Sequence, residues 1–178
     1  MTTIDRVVAF IEIMSEKIDA VEVKKLAEKL FTAGFFDAPA STKYHGAYAG
    51  GLFDHSLNVT KALLQLTHRM GLKWDRPASP YIVGMLHDLC KCDQYKAVDG
   101  GWEYVKDLPL NGHGDKSVIV AQMMGVNLTD EEMLCIRWHM GAFDDKENWN
   151  HYTSSMKVTE NVLWAHTADM MASQILEV

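Results

Sequence analysis

The 178-residue sequence contains little cysteine, little proline and no long apolar run. Its three cysteines, Cys90, Cys92 and Cys135, are too few and too unevenly spaced for a disulfide framework, so we expect reduced thiols in a cytoplasmic protein. No stretch reaches the roughly 20 apolar residues that a membrane-spanning helix needs. Asp5 and Glu12 interrupt the N-terminal region where a signal segment would be apolar. We therefore expect no membrane partner.

Basic residues are scarce relative to acidic ones, 17 against 24, and the formal net charge is -7. A surface for long nucleic acid needs clustered lysine and arginine to displace counterions, so this balance argues against such a partner. A small phosphorylated substrate remains compatible with the charge, because bound divalent cations would reverse its sign inside a pocket. With 48% apolar content, the length fits one domain with its own core.

Apolar residues recur at helical spacing along most of the chain, which predicts an all-α fold. Two N-terminal packing helices are expected within residues 1–43, and a last helix from about Ser154. Ser79 is predicted to cap the fourth helix. Thr129 and Glu132 form a capping-box pattern, which predicts the start of the sixth helix.

The strand signal is confined to one short region. Residues 95–98 and 102–105 are two short runs that flank an Asp-Gly-Gly sequence at 99–101. Such a turn between two strand-like runs predicts a small β-hairpin inserted into the helical domain.

The segment from Met85 to Lys91 places an imidazole, a carboxylate and an ammonium, those of His87, Asp88 and Lys91, within about one helical turn. A buried carboxylate without a cation or donors is strongly disfavoured. This pair in an apolar run is therefore either satisfied by its neighbours or holds a metal ion. The alternative interpretation is a hydrogen-bonded core histidine beside a capping aspartate.

Four histidines and two aspartates fall at or near predicted helix ends. They are His55, His87, Asp88, His113, His139 and Asp169. Six such donors are enough for two metal ions. Nitrogen and oxygen donors without thiolate favour Mn, Fe, Co, Ni or Mg over a structural tetrahedral zinc, and spacing does not choose among these ions.

From about Tyr44 onward, the chain resembles the HD-domain superfamily of metal-dependent phosphohydrolases, which is named for its His-Asp doublet. Three segments carry the resemblance: Gly50-Gly51-Leu52-Phe53-Asp54-His55-Ser56, Met85 to Lys91, and Ala168-Asp169. They are similar to the helix with the family's first histidine, to the doublet followed by a lysine, and to the last carboxylate. The two further histidines, His113 and His139, resemble the binuclear branch. Within that branch, His45 with the Gly-Gly-Leu that follows and the step from His166 to Asp169 resemble the HD domain of bacterial three-prime exoribonucleases. Leu89-Cys90 stands where that family usually has Ile-Gly.

The resemblance implies an HD-domain helical bundle with a small β-hairpin insertion, as a single domain over residues 1–178. Residues 1–43 would be N-terminal packing helices and residues 44–178 the metal-binding core. It also implies two divalent metal ions that share the Asp88 carboxylate. The ligands of the first ion would be His55, His87, Asp88 and Asp169, and those of the second Asp88, His113 and His139.

The implied activity is hydrolysis of a nucleotide or short phosphodiester by a hydroxide that bridges the two metals. Asp88 is the central ligand, and Lys91 is predicted to contact a phosphate oxygen unless it is a solvated lysine at a helix end. His45 and His166 are predicted to contact substrate or to orient ligands. Arg137 is predicted to reach phosphate, with a surface salt bridge as its alternative.

Two other functions remain open from the sequence. HD proteins with this number of ligands include di-iron oxygenases that cleave carbon bonds. A non-catalytic nucleotide-binding module is the second alternative, and the complete set of ligands counts against it.

Overall fold

The computed structural model describes residues 1–176, which form a mostly helical domain with one antiparallel hairpin. The helices are α1 (Thr3–Met14), α2 (Ala20–Thr32), α3 (Gly51–Met70), α4 (Ser79–Leu86), α5 (Gly114–Met123), α6 (Asp130–Arg137), α7 (Trp149–Val158) and α8 (Asn161–Met171). Short 3-10 turns cover Leu89–Cys92, Gly141–Phe143 and Lys146–Asn148, and a π-helical turn covers Ala172–Leu176. The predicted all-α class with a small hairpin is confirmed. Within residues 1–176, no helix combines the length and the apolar character needed to cross a membrane.

Helix α3 lies at the centre of the domain, packed against α4 and α8, while α6 contacts both α5 and α8. A cluster of buried phenylalanines joins the N-terminal helices to α3, with ring centroids 5.3 to 6.5 Å apart. Its members are Phe10, Phe35, Phe36 and Phe53. Most of these rings meet edge to face, the arrangement that aromatic quadrupoles favour. The cluster therefore fixes the start of α3, and with it the loop before α3, on the core.

The hairpin consists of β1 (Tyr95–Val98) and β2 (Gly101–Tyr104), with Tyr95 opposite Tyr104. The second strand begins one residue earlier than predicted. Gly101 pairs with Val98, so residues 99 and 100 alone form the turn. Gly100 has a φ of 87°, in the left-handed region that glycine adopts readily.

The prediction of one last helix from about Ser154 is wrong, because two helices, α7 and α8, occupy this region. They are separated at Thr159, whose backbone is extended at φ -144° and ψ 129°. The Thr159 hydroxyl donates to Glu131 Oε1 at 2.8 Å, and the Asn161 amide donates to the same oxygen at 2.8 Å. This buried carboxylate of α6 therefore draws the chain out of helical conformation. Helix α7 also begins earlier, at Trp149, than the predicted start of the last helix at about Ser154.

The predicted cap of α4 is also wrong, whereas the capping box of α6 is confirmed. Ala78 occupies the N-cap of α4 without a side-chain bond, and Ser79 is already helical. The Ser79 hydroxyl instead donates to Glu132 Oε1 at 2.8 Å. Thr129 and Glu132 bond reciprocally at the start of α6, as predicted. Arg76 also pairs with Glu132, at 2.7 Å, so this buried carboxylate links α4 to α6.

Candidate metal centre

The structure brings the six predicted donors together from two helices, α3 and α8, and from the ends of three others, α4, α5 and α6. They are His55 in α3, His87 and Asp88 directly after α4, His113 directly before α5, His139 two residues after α6, and Asp169 in α8. Their donor atoms fall into three overlapping groups, each with all atoms within 4.8 Å of one another. The groups are His55, His87 and Asp169; His87, Asp88 and His139; and Asp88, Cys90 and His113. These largely buried groups can hold a metal ion.

Asp88 lies at the centre of the site, and only 2% of its surface is exposed. Its Oδ2 faces Nε2 of His55 at 3.7 Å and Nε2 of His87 at 3.4 Å. Its Oδ1 faces Nε2 of His113 at 2.7 Å and Nε2 of His139 at 3.4 Å. The two oxygens of one carboxylate therefore face two different pairs of histidines.

Backbone carbonyls fix the protonation of two of these histidines. Nδ1 of His87 donates to the Gly84 carbonyl at 2.8 Å, and Nδ1 of His139 donates to the Ile136 carbonyl at 2.7 Å. Because a carbonyl only accepts, each Nδ1 carries a proton. In the neutral tautomer of either ring, the lone pair is then on Nε2, the nitrogen that faces Asp88. Nε2 of His139 is buried and has no hydrogen-bond partner within residues 1–176. A lone pair that faces a carboxylate oxygen in a buried site is stabilised by a cation, so the donor set fits a metal.

Asp169 and His45 lie beside His55. Nε2 of His55 lies 3.1 Å from Oδ1 of Asp169. It also lies 3.3 Å from Nε2 of His87. Burial disfavours the ionised form of Asp169, but its hydrogen bond with His55 and the neighbouring imidazoles lower the pKa of this carboxyl below its ordinary value. The ring of His45 lies 4.8 Å from that of His55, centroid to centroid. His45 therefore borders the donor set.

Close contact between two helix ends places His113 beside His139. A Cβ on Gly114 would lie 2.0 Å from the Arg137 carbonyl oxygen, so a side chain at this position is excluded. Glycine thus allows the first residue of α5 to touch the last turn of α6. The rings of His113 and His139 consequently lie 5.2 Å apart, centroid to centroid.

Lys91 supplies a buried positive charge to the site. It is 8% exposed, and its Nζ lies 2.6 Å from Asp88 Oδ2. Burial opposes ionisation of Asp88, but the charges of Lys91, His87 and His113 hold the pKa of that carboxyl well below its usual range. Burial lowers the pKa of His113, yet Asp88 raises it, on balance to about 9. Burial also lowers the pKa of Lys91, and Asp88 raises it above the ordinary value, so the ammonium stays charged.

A cavity of about 1130 Å³ opens over these residues. Asp88, Lys91, His113 and Asp169 all contribute to its lining, and so does His45. Of the residues predicted to contact substrate, Lys91 and His45 are therefore brought to the cavity.

The other two residues predicted to contact substrate, His166 and Arg137, lie outside that lining. Nδ1 of His166 donates to the His139 carbonyl at 2.7 Å, so His166 supports the segment that carries a predicted ligand. The Arg137 guanidinium pairs with Asp115 and with Asp144, the latter at 2.6 Å. Arg137 therefore forms salt bridges, as its alternative interpretation predicts, and does not reach the cavity.

Cys90 is the residue near the donors that the sequence did not indicate. Its side chain is buried. Its Sγ, however, lies 3.5 Å from Nδ1 of His113, while Nε2 of the same ring faces Asp88. The only indication in the sequence is that Cys90 lies two residues after Asp88. This spacing does not predict a contact with His113, which lies 23 residues further along the chain.

No protein-family model, no curated protein and no solved structure matches this chain. The function of the site is therefore inferred from its donor geometry, its charges and the motifs of the sequence.

Proposed function

We propose that this chain is a metal-dependent phosphohydrolase or phosphodiesterase of the HD-domain type that acts on a nucleotide or short phosphodiester. The observation that carries the proposal is the position of Asp88, whose two oxygens face two pairs of histidines. A carboxylate so placed suits the bridge between two divalent ions. The first ion would have His55, His87, Asp88 and Asp169 as ligands, and the second Asp88, His113 and His139.

When bound, two divalent ions supply Lewis acidity towards water and phosphate oxygens, the chemistry that hydrolysis of a phosphate ester needs. Carbonyls hold the rings of His87 and His139 in one tautomer, so these donors need no reorganisation. Lys91 keeps its proton and faces the cavity, where it would donate to a phosphate oxygen. His45 borders the same cavity and would contact the substrate.

The donor set supports Mn, Fe, Co, Ni or Mg in this site. Four of the six proposed ligands are histidines that face the buried Asp88 carboxylate, and all six offer nitrogen or oxygen. Cys90 approaches Nδ1 of His113, whereas Asp88 approaches Nε2 of that ring. The thiol therefore orients this imidazole, and we do not count it among the ligands.

Metal analysis by mass spectrometry, paired with an activity assay, tests the proposal. We expect two ions per wild-type chain, and release of phosphate or nucleotide from a substrate panel with Mn, Co or Ni. His113→Ala should lose one ion and lower turnover roughly 100-fold, because it removes a ligand from the second position. His68→Ala is the matched control, since His68 is an exposed histidine in the last turn of α3.

The possible outcomes separate the components of the proposal. One ion or none in the wild type would show that the assignment of two ions is wrong. Two ions with no turnover across the panel would exclude the hydrolase. A mixed-valent electron-spin signal after anaerobic loading with iron would then favour the di-iron oxygenase.

A further inference from the structure

Exposed aromatic side chains are concentrated around the cavity of the metal centre. Six large aromatic side chains are exposed within residues 1–176, and four of them line this cavity. The four are Tyr44, Tyr48, Tyr104 and Phe143. Tyr44 is the most exposed, at 82%. Exposed rings beside a site for an anion are suited to a ligand that joins a phosphate to a planar ring, because every nucleobase has a face that stacks.

A second cavity, of about 520 Å³, adjoins the first. Gln94, Tyr104 and His113 line both cavities. The remaining wall of the second cavity comes mainly from the segment that links β2 to α5, including Leu110 and Asn111. The proposed ligand His113 therefore lies where the two cavities meet, so a molecule that spans both would pass over the metal centre.

The lining of the second cavity suits a nucleoside better than a phosphate. Its cation, Lys116, is 4% exposed and already paired with Asp93, so its charge is neutralised. The side-chain amides of Gln94 and Asn111 can bond to the edge of a base or to a sugar hydroxyl, and leucines supply apolar surface. The volume falls within the range of small-molecule sites, roughly 300 to 1,000 Å³.

We propose that the substrate is a phosphodiester with a nucleoside on each side, as in an unpaired dinucleotide or the end of a short single strand. Its phosphate would lie at Asp88, Lys91 and His113, with one base on the aromatic side chains and the other nucleoside in the second cavity. The inference rests on the proposed function, because it takes the metal centre as the place where phosphate is held. A nucleoside monophosphate would occupy one cavity and leave the other without a ligand group.

The reaction on such a substrate is addition of one water molecule across a P–O bond. The water oxygen forms a bond to phosphorus, and the bond from phosphorus to the oxygen of the nucleoside in the second cavity breaks. That oxygen takes up a proton from the water. The products are a nucleotide monoester and a nucleoside with a free hydroxyl group.

Binding and turnover are measured side by side on the manganese-loaded protein. Calorimetry compares a phosphorothioate-linked thymidine dinucleotide with thymidine monophosphate, and the dinucleotide should bind about tenfold more tightly. Leu110→Trp fills the second cavity and should abolish this difference. Leu163→Trp is the matched control, because Leu163 is an exposed leucine on α8 that lines neither cavity. Turnover is assayed with unmodified ribo- and deoxyribodinucleotides and with the monophosphate.

Tighter binding of the dinucleotide, lost in Leu110→Trp and kept in Leu163→Trp, supports the inference. If these dinucleotides are also cleaved, the proposed function stands with it. The same binding result without cleavage of any phosphate ester supports the two-sided site and refutes the hydrolase. Equal affinity for the monophosphate and the dinucleotide, or a difference that survives Leu110→Trp, overturns the inference even if phosphate esters are hydrolysed.

Discussion

Replacement of Lys91 by methionine tests the charge balance of the metal centre directly. Lys91 and Asp88 are both buried and lie 2.6 Å apart, so the substitution leaves a buried carboxylate without its nearest cation. Removal of one partner of a buried ion pair costs about 3 to 5 kcal/mol. We expect about 3 kcal/mol, the lower end, because His113 remains 2.7 Å from the other oxygen of Asp88. For a domain of this size, that loss lowers Tm by about 6 to 12 °C.

Thermal unfolding followed by circular dichroism measures this effect, first with a chelator and then with saturating manganese. With the chelator, Lys91→Met should unfold at the lower temperature given above. Manganese should raise the Tm of the variant more than that of the wild type, because the ions then neutralise Asp88. Hydrolysis should nevertheless remain impaired, since the proposed contact of Lys91 with phosphate is lost.

The matched control is Lys96→Met in the hairpin. Lys96 is exposed and 3.8 Å from Glu103, so its loss should cost no more than about 0.5 kcal/mol. If Lys91→Met and the wild type unfold at the same temperature with the chelator, Lys91 does not stabilise Asp88 as described. If manganese fails to reduce the difference between the two, cations do not bind at this carboxylate.

Two further predictions concern other parts of the fold. Burial and a hydrogen bond to Glu16 raise the pKa of Tyr81 to about 12 from 10.0. The contribution of this protonated phenol to stability is therefore complete below pH 10 and is lost as pH rises through 12. In urea unfolding, the free energy of unfolding lost in Tyr81→Phe should shrink above pH 10. A loss that stays constant with pH would contradict this prediction. Gly141→Ala adds a Cβ 2.6 Å from the His166 ring at a φ of 54°, so chelator competition should reveal weaker metal binding. Gly100→Ala, also at positive φ but in open space, should keep its metal affinity.

Local patterns in the sequence were sufficient to predict most helices and the hairpin. The capping box of Thr129 and Glu132, for example, depends on interactions within a few residues. The donor residues could also be named from the sequence, because a His-Asp doublet in an apolar run requires compensation for its charge. Where a distant side chain competed with local preference, as Glu132 did for the Ser79 hydroxyl, the prediction was wrong.

The sequence by itself therefore determined the helical class, the short hairpin and the kinds of atom offered to a metal, since these depend on residue type and on periodicity. Only the tertiary structure decided which oxygen of Asp88 faces which histidines, and that Cys90 contacts His113. It also decided the break between α7 and α8, which depends on a contact between Thr159 and Glu131, 28 residues apart. Such contacts are made by packing of whole helices, and no local pattern encodes the direction in which a side chain meets a distant partner.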